Sequence, residues 1–316
     1  AATLASTPET ACVTAVARPH RTEAFAMGPE PIADYACEVG EGPLWHPLEK
    51  RLYWGDIPQG RMFRYDPATG RHEQFYDGPV VGGFTIQANG SLLLFMEKGA
   101  IAVWRDGDLD YIIDALPGEE ENRFNDVFAD PRGRVFCGTM PMDPERGAEL
   151  LGTLYLLDTD ASIKPVLHDL GISNGIGLTP DRKQMYFTDT IPKTIYRFDY
   201  AVESGALSNR QVFVDSSDEE GGPDGMTVDA EGYVWSARWG GACVTRYSPD
   251  GVEDRRITYP TGAVSSAIFG GDDYSDLYAT TAMGNDKSTN GEHAGALFRV
   301  DPGVKGVAEF FSKVGL

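Results

Sequence analysis

Four polar residues of this 316-residue chain occupy one place in a recurring pattern: Glu41 in GEGPLW, Asn125 in RFNDVF, Asn174 in SNGIGL and Asp224 in PDGMTV. Each opens a short apolar segment about ten residues before a second one, the spacing of neighbouring strands within one repeat. The corresponding position is Gly82 or Gly83 in VGGFTI and Ser265 in VSSAIF. Two carboxylates and two carboxamides gathered from distant parts of a chain create a negative potential that a cation neutralises. The chemistry this points to is one divalent metal ion held by Glu41, Asn174 and Asp224, with Asn125 nearby. All-oxygen ligation suits calcium first, then magnesium or manganese, and leaves positions for water or substrate. The absence of histidine from the pattern argues against structural zinc, while zinc or iron(II) in an open catalytic site stays compatible. The plain alternative is that Asn and Asp open strands for turn reasons. A polar residue at one register in four of six repeats favours the metal.

The elements that must position these residues are visible when the second segments are stacked: RLYWGD at Arg51, SLLLFME at Ser91, RVFCGTM at Arg134, QMYFTDT at Gln184, YVWSARW at Tyr233 and DLYATTA at Asp276. They start about 40 to 50 residues apart, the period of a four-stranded propeller blade. A third segment follows each, such as RMFRYD or TIYRFDY, and then a less regular fourth, such as RHEQFY or RQVFVD. One such repeat cannot bury both of its faces, but a closed ring hides the faces against each other and leaves only short edges. The expectation is therefore an all-β, six-bladed β-propeller with four antiparallel strands per blade. The starts of its inner strands would border one end of the central channel. Ends of the second strands would reach the same rim, bringing Asp56, Met140, Asp189 and Arg238 to the pocket walls. Trp45, Phe124 and Trp239 would pack the blades or offer a flat face to a ligand. PIADYACEV near the start and KGVAEFFSKV near the end are the candidates for closing the ring. Residues 1–28 lack sustained alternation and read as an N-terminal extension, with residues 29–316 forming a single propeller domain.

Composition narrows the partners. With 37 Gly and 20 Pro the chain is rich in turn formers, and its formal charge of −21 repels nucleic acid and anionic membrane. No apolar run approaches the roughly 20 residues of a membrane span. Cys12, Cys37, Cys137 and Cys243 are widely separated with no C-x-x-C, and read as reduced thiols of a cytoplasmic protein. Two motif matches fail on context. Gly171–Gly175 fits G-x-S-x-G, but a strand follows where a nucleophile elbow needs a helix, so Ser173 is a poor nucleophile candidate. Asp106, Asp108 and Asp110 open like an EF-hand loop, yet Tyr111 and Pro117 stand where Gly and Glu are required.

Taken together, GEGPLWHP, NRFNDVFADPRGRVFCGTM, ISNGIGLTPD with FTDT, and PDGMTVDAEGYVW resemble the SMP-30/gluconolactonase/LRE-like family, which takes in regucalcin and bacterial sugar lactonases. The resemblance runs from about Tyr35 to Phe311, with the motifs in family order. It implies a six-bladed propeller with one divalent metal in the channel and hydrolysis of a small-molecule sugar lactone such as gluconolactone. It also implies Glu41, Asn174 and Asp224 as metal ligands, and Arg123 and Asn125 as substrate contacts. Asp143 falls where some members carry a substrate-binding glutamate, one methylene longer, and AVSSAIFGG departs from the last-blade motif of many relatives. The expected mechanism has Asp224 as general base or as orienter of the attacking water, in a monomer or homodimer. Rival readings are a phosphotriesterase on the same metal geometry and a non-catalytic calcium-binding propeller.

Overall fold

The computed structural model describes residues 28–143, 151–284 and 290–316. The expected extension, residues 1–28, lies outside the described residues apart from Gly28. Every repeat seen in the sequence becomes four short strands. The first is β2 (Gly40–His46), β3 (Arg51–Asp56), β4 (Arg61–Asp66) and β5 (Arg71–Asp77). The next is β6 (Val81–Ile86), β7 (Leu92–Met96), β8 (Ile101–Arg105) and β9 (Asp108–Ile113). Then come β10 (Asn122–Ala129), β11 (Val135–Pro141), β12 (Gly152–Leu157) and β13 (Ile163–Leu170), followed by β14 (Ser173–Leu178), β15 (Gln184–Asp189), β16 (Thr194–Ala201) and β17 (Ala206–Asp215). The last strands are β18 (Gly222–Val228), β19 (Val234–Trp239), β20 (Cys243–Tyr247), β21 (Glu253–Thr258), β22 (Ala263–Gly270), β23 (Asp276–Ala282) and β24 (Ala296–Val300). β1 (Glu30–Asp34) pairs antiparallel with β24, so the PIADYACEV segment supplies an outer strand.

Turn chemistry explains the strand boundaries. Asp229 Oδ1 accepts the amides of Glu231 and Tyr233, each at 2.9 Å, and Gly232 takes φ 84°, a left-handed value open to glycine without steric cost. Asp130 does the same between β10 and β11 through the amides of Arg132 and Arg134. The free oxygens of these aspartates then pair with buried Arg246 and Arg134, which ties each turn to its own sheet.

The sequence expectation of six separate blades is not met. Four sheets stand alone as four-stranded units, whereas the remaining eight strands form one continuous sheet, β1-β24-β23-β22-β19-β20-β21 with β18 on β19. The join is a backbone pairing of Trp239 with Ala263. Its cause is the short return from β21 to β22, which sets the first residue of β22 against the last of β19. The fold is all-β and propeller-like, with four blades and one larger sheet.

A ring is nevertheless closed at the centre. First strands touch in succession, β2 with β6, β6 with β10, β10 with β14, β14 with β18, β18 with β22, and β22 back to β2. Apolar clusters fill the spaces between successive sheets, for example Tyr53, Met62, Phe84 and Leu94 between the first two. The C-terminal segment runs across the end of the channel where the first strands finish. Gly306 bridges Asp229, Ser312 runs parallel to Gln87, and the amide of Lys313 donates to the carbonyl of Gly133 at 2.8 Å. Among the described residues, no helix is long and apolar enough to cross a membrane.

Candidate active site at the channel mouth

Glu41, Asn174 and Asp224 sit within the first three residues of a first strand and Asn125 is the fourth residue of β10, and each lies beside a local irregularity. Between β2 and β3 the pairing passes from Glu41–Gly55 to Leu44–Tyr53, between β10 and β11 from Phe124–Thr139 to Val127–Cys137, and between β18 and β19 from Pro223–Arg238 to Met226–Ser236. β14, β6 and β22 shift register in the same place, at Asn174/Ile176, Val81/Gly83 and Val264/Ser266. A bulge leaves one residue unpaired and turns its side chain out of the regular alternation. Here the bulges aim side chains into the channel mouth. Glycine allows the strands to come close enough: a Cβ on Gly175 would lie 2.6 Å from the carbonyl oxygen of Asp224.

Glu41, Asn125, Asn174 and Asp224 are all buried, between 4% and 6% exposed. Arg123 Nη1 donates to Asn125 Oδ1 at 2.7 Å and to the Phe124 carbonyl at 2.8 Å. Asn125 Nδ2 donates to Asn174 Oδ1 at 2.7 Å and to the Ser173 carbonyl at 2.8 Å. Asn174 Nδ2 donates to Thr190 Oγ1 at 2.8 Å, and that hydroxyl donates to the Pro223 carbonyl at 2.8 Å. The amide of Gly42 donates to Glu41 Oε2 at 3.0 Å.

Electrostatically the cluster is under-neutralised. Burial pushes the Asp224 carboxyl well above the usual carboxylate range, and the charges of Glu41 and Asp126 push the same way. Glu41 is raised by burial and then by Asp126. Burial also lifts Asp126 to about 7, opposed by Arg123. Arg123 is lowered to about 10 by burial, opposed by Glu41, Asp126, Glu97 and Asp224. Three carboxyl groups thus face one guanidinium. A hard cation suits the chemistry of this donor set, two buried carboxylates and a carboxamide oxygen on first strands of the ring. Among the described residues there is no group of three or more His, Cys, Asp or Glu side chains arranged for a metal, so the amide of Asn174 is needed to complete a set.

The other rim candidates have structural duties. Asp56 is fully buried and takes the amide of Val39 at 3.1 Å and the guanidinium of Arg61. Asp189 accepts the amides of Gly171 and Ile172. Arg238 caps the carbonyls of Glu220 and Gly221. Ser173 is fully buried in β14 against Gly138, in keeping with its exclusion as a nucleophile. Asp143 is exposed, two residues beyond the end of β11, at the same end of the channel as the cluster.

Comparison with known proteins matches the description "SMP-30/Gluconolactonase/LRE-like region" to residues 39–283. The chain belongs to the SMP-30/gluconolactonase/LRE-like family. Among relatives, the pentonolactonase XacC of Haloferax volcanii is 49% identical over 293 residues, covering 90% of this chain and 98% of that protein. Human regucalcin is 32% identical over 282 residues, covering 87% and 94%. A crystal structure of regucalcin from Agrobacterium tumefaciens, described as a calcium-binding protein, superposes with a TM-score of 0.84 at 27% identity, covering 91% of this chain and 98% of that one.

Within this family member, two residues of the cluster escape the sequence pattern. Asp126 follows Asn125 directly, and strict alternation would place it on the opposite face. Pairing skips from Phe124 to Val127, and Asp126 reaches the channel cavity lined by Gly42, Thr85, Met226 and Glu309. Thr190 follows the end of β15 and enters through its hydroxyl alone. The repeated glycines next to the polar positions were the available signal for a bulge.

Proposed function

We propose that this family member is a lactone hydrolase that opens an aldonolactone, of the pentono- or gluconolactone kind, to the aldonic acid. The observation that carries the reading is the burial of Glu41, Asn174 and Asp224, all on first strands of the ring, in a chain 49% identical to a pentonolactonase. Those three residues would hold one divalent cation, calcium first, which when bound polarises the lactone carbonyl and acidifies a neighbouring water. Asp224 serves as general base or fixes the orientation of the attacking water, and its burial beside Glu41 raises its affinity for a proton. Arg123 and Asn125 hold hydroxyl groups of the sugar ring. They are already oriented by their mutual hydrogen bond of 2.7 Å, so little order is lost on binding. Asp143 at the rim would receive an outer hydroxyl. Water exclusion around the buried cluster strengthens each of these interactions. Cys37, Cys137 and Cys243 are buried and unpaired, which supports a cytoplasmic location.

The deciding experiment strips the protein with chelator, reloads it with calcium, magnesium, manganese, zinc or iron(II), and follows acid release from pentono- and gluconolactones. Ring opening above the buffer rate with at least one metal is expected. No acceleration with any metal refutes the reading, and tight calcium binding without turnover would favour a calcium-binding role instead.

A further inference from the structure

The hydrogen bonds at the mouth form one chain that runs in a single direction. It starts at a group that can only donate, the Arg123 guanidinium, and ends at one that can only accept, the Pro223 carbonyl. Between them lie Asn125, Asn174 and Thr190. Asn125 cannot turn its amide over, because its nitrogen faces the Ser173 carbonyl at 2.8 Å and its oxygen faces Arg123. Asn174 has no backbone acceptor of this kind. Its nitrogen is received by Thr190 Oγ1 at 2.8 Å, and the threonine offers a lone pair there because its proton is given to Pro223.

We infer that Thr190 is a positioning residue that, opposite Asn125, fixes the Asn174 amide with its oxygen on the Asn125 side and its nitrogen on the threonine hydroxyl, so that the amide offers only its oxygen to the proposed cation. The inference rests on the proposed cation site and deepens it, adding a residue outside the ligand set. Thr190 also links two ligand strands. It follows β15, the hydrogen-bonded partner of the strand bearing Asn174, and its hydroxyl reaches the residue before Asp224. Loss of the hydroxyl leaves the Asn174 nitrogen and the Pro223 carbonyl without their partner at once. The Asn174 amide then keeps only its Asn125 anchor, and its plane is held at one end instead of two. Changes of this kind to a group that orients a ligand typically weaken metal binding by about 10- to 100-fold.

The test compares wild type, Thr190→Val, which keeps the shape, and Thr190→Ser, which keeps the hydroxyl. Divalent-ion affinity of the chelated protein is measured by titration calorimetry and by manganese electron paramagnetic resonance. In parallel, the exchange of the Asn174 side-chain amide protons is followed by NMR in the metal-free protein. Thr190→Val should bind manganese or calcium about tenfold or more weakly and exchange its Asn174 amide protons faster, while Thr190→Ser should stay within about twofold of wild type. Should Thr190→Val fold poorly, Thr190→Ala carries the same expectation. Equal affinities and equal exchange in wild type and the hydroxyl-deleted variant overturn the inference alone. A wild type that binds no divalent ion overturns the cation site and this inference with it.

Discussion

Glu309 offers the most direct measure of how the channel treats charge. It lies on the C-terminal segment that crosses the closed end of the channel, half-buried, and it lines one cavity together with Asp126. Burial pushes its carboxyl up from 4.5 to about 7. The folded protein therefore retains a proton that the unfolded chain gives up above about pH 4.5. Its stabilising contribution is whole below that pH and is lost as pH rises through about 7. At about 1.4 kcal/mol per pH unit the full shift would be worth roughly 3 kcal/mol. Partial access to solvent reduces that to about 1–2 kcal/mol. Glu309→Gln keeps the shape and cannot ionise. It should match wild type near pH 4 and exceed it by about 1–2 kcal/mol near pH 8, a midpoint rise of about 1.5–3 °C for a chain of this size. Urea and thermal unfolding of both proteins across that range give the difference curve. Asp126 titrates in the same window, so both proteins retain some slope and only their difference isolates Glu309. A difference independent of pH, or a variant less stable than wild type at pH 8, would refute the reasoning.

Two further substitutions probe the mouth. Asp224→Asn should lower kcat by about 10²- to 10⁴-fold with the fold intact by circular dichroism. In the metal-free state its melting temperature should not fall, because a buried charge facing Glu41 has gone; unchanged turnover would remove Asp224 from the chemistry. Gly225→Ala would put a Cβ 2.1 Å from Ser266 Oγ and 2.8 Å from Ser266 Cα, so the strand carrying Asp224 must move. A stability loss of about 1–3 kcal/mol in urea is expected, with a larger proportional loss of activity than of stability. A variant as stable and active as wild type would show that the close approach of β18 and β22 is not required.

Strand segments were legible in the sequence because short apolar runs are set off by Gly/Asp turn signals, even though strands such as β6, β11 and β22 are buried along their whole length. RLYWGD and QMYFTD became β3 and β15 at their expected first residues. The polar register was legible because the repeat spacing aligns Glu41, Asn125, Asn174 and Asp224, which all fall in the first half of first strands. Three features were hidden. Fusion of eight strands into one sheet depends on one backbone pair, Trp239 with Ala263, and backbone pairing leaves no mark on residue type. Asp126 was concealed by the bulge that carries it, because an extra residue breaks the period of two on which facing is judged. Thr190 was concealed because a hydroxyl that joins two strands looks, in sequence, like any threonine after a strand.

Bulge and tail together explain why the polar cluster can exist at all. Below the mouth, Leu44, Phe84, Phe128, Ile176, Met226 and Ile268 share a narrow cavity with the carboxyl groups of Asp126 and Glu309. At the far end Ser312 hydrogen-bonds with Thr85 and the Ile86 carbonyl, and Val314 exchanges hydrogen bonds with Gln87. Carboxylates placed in a channel open at both ends would be hydrated from two sides and would repel one another weakly. Buried in a narrow channel, the same groups lie in a poorly screened space, where each raises the proton affinity of the next. That unrelieved repulsion is costly for the fold unless something positive enters from the mouth. Arg123 answers part of the charge of Glu41, Asp126 and Asp224, and the negative charge that one guanidinium leaves over is what the site offers to a cation.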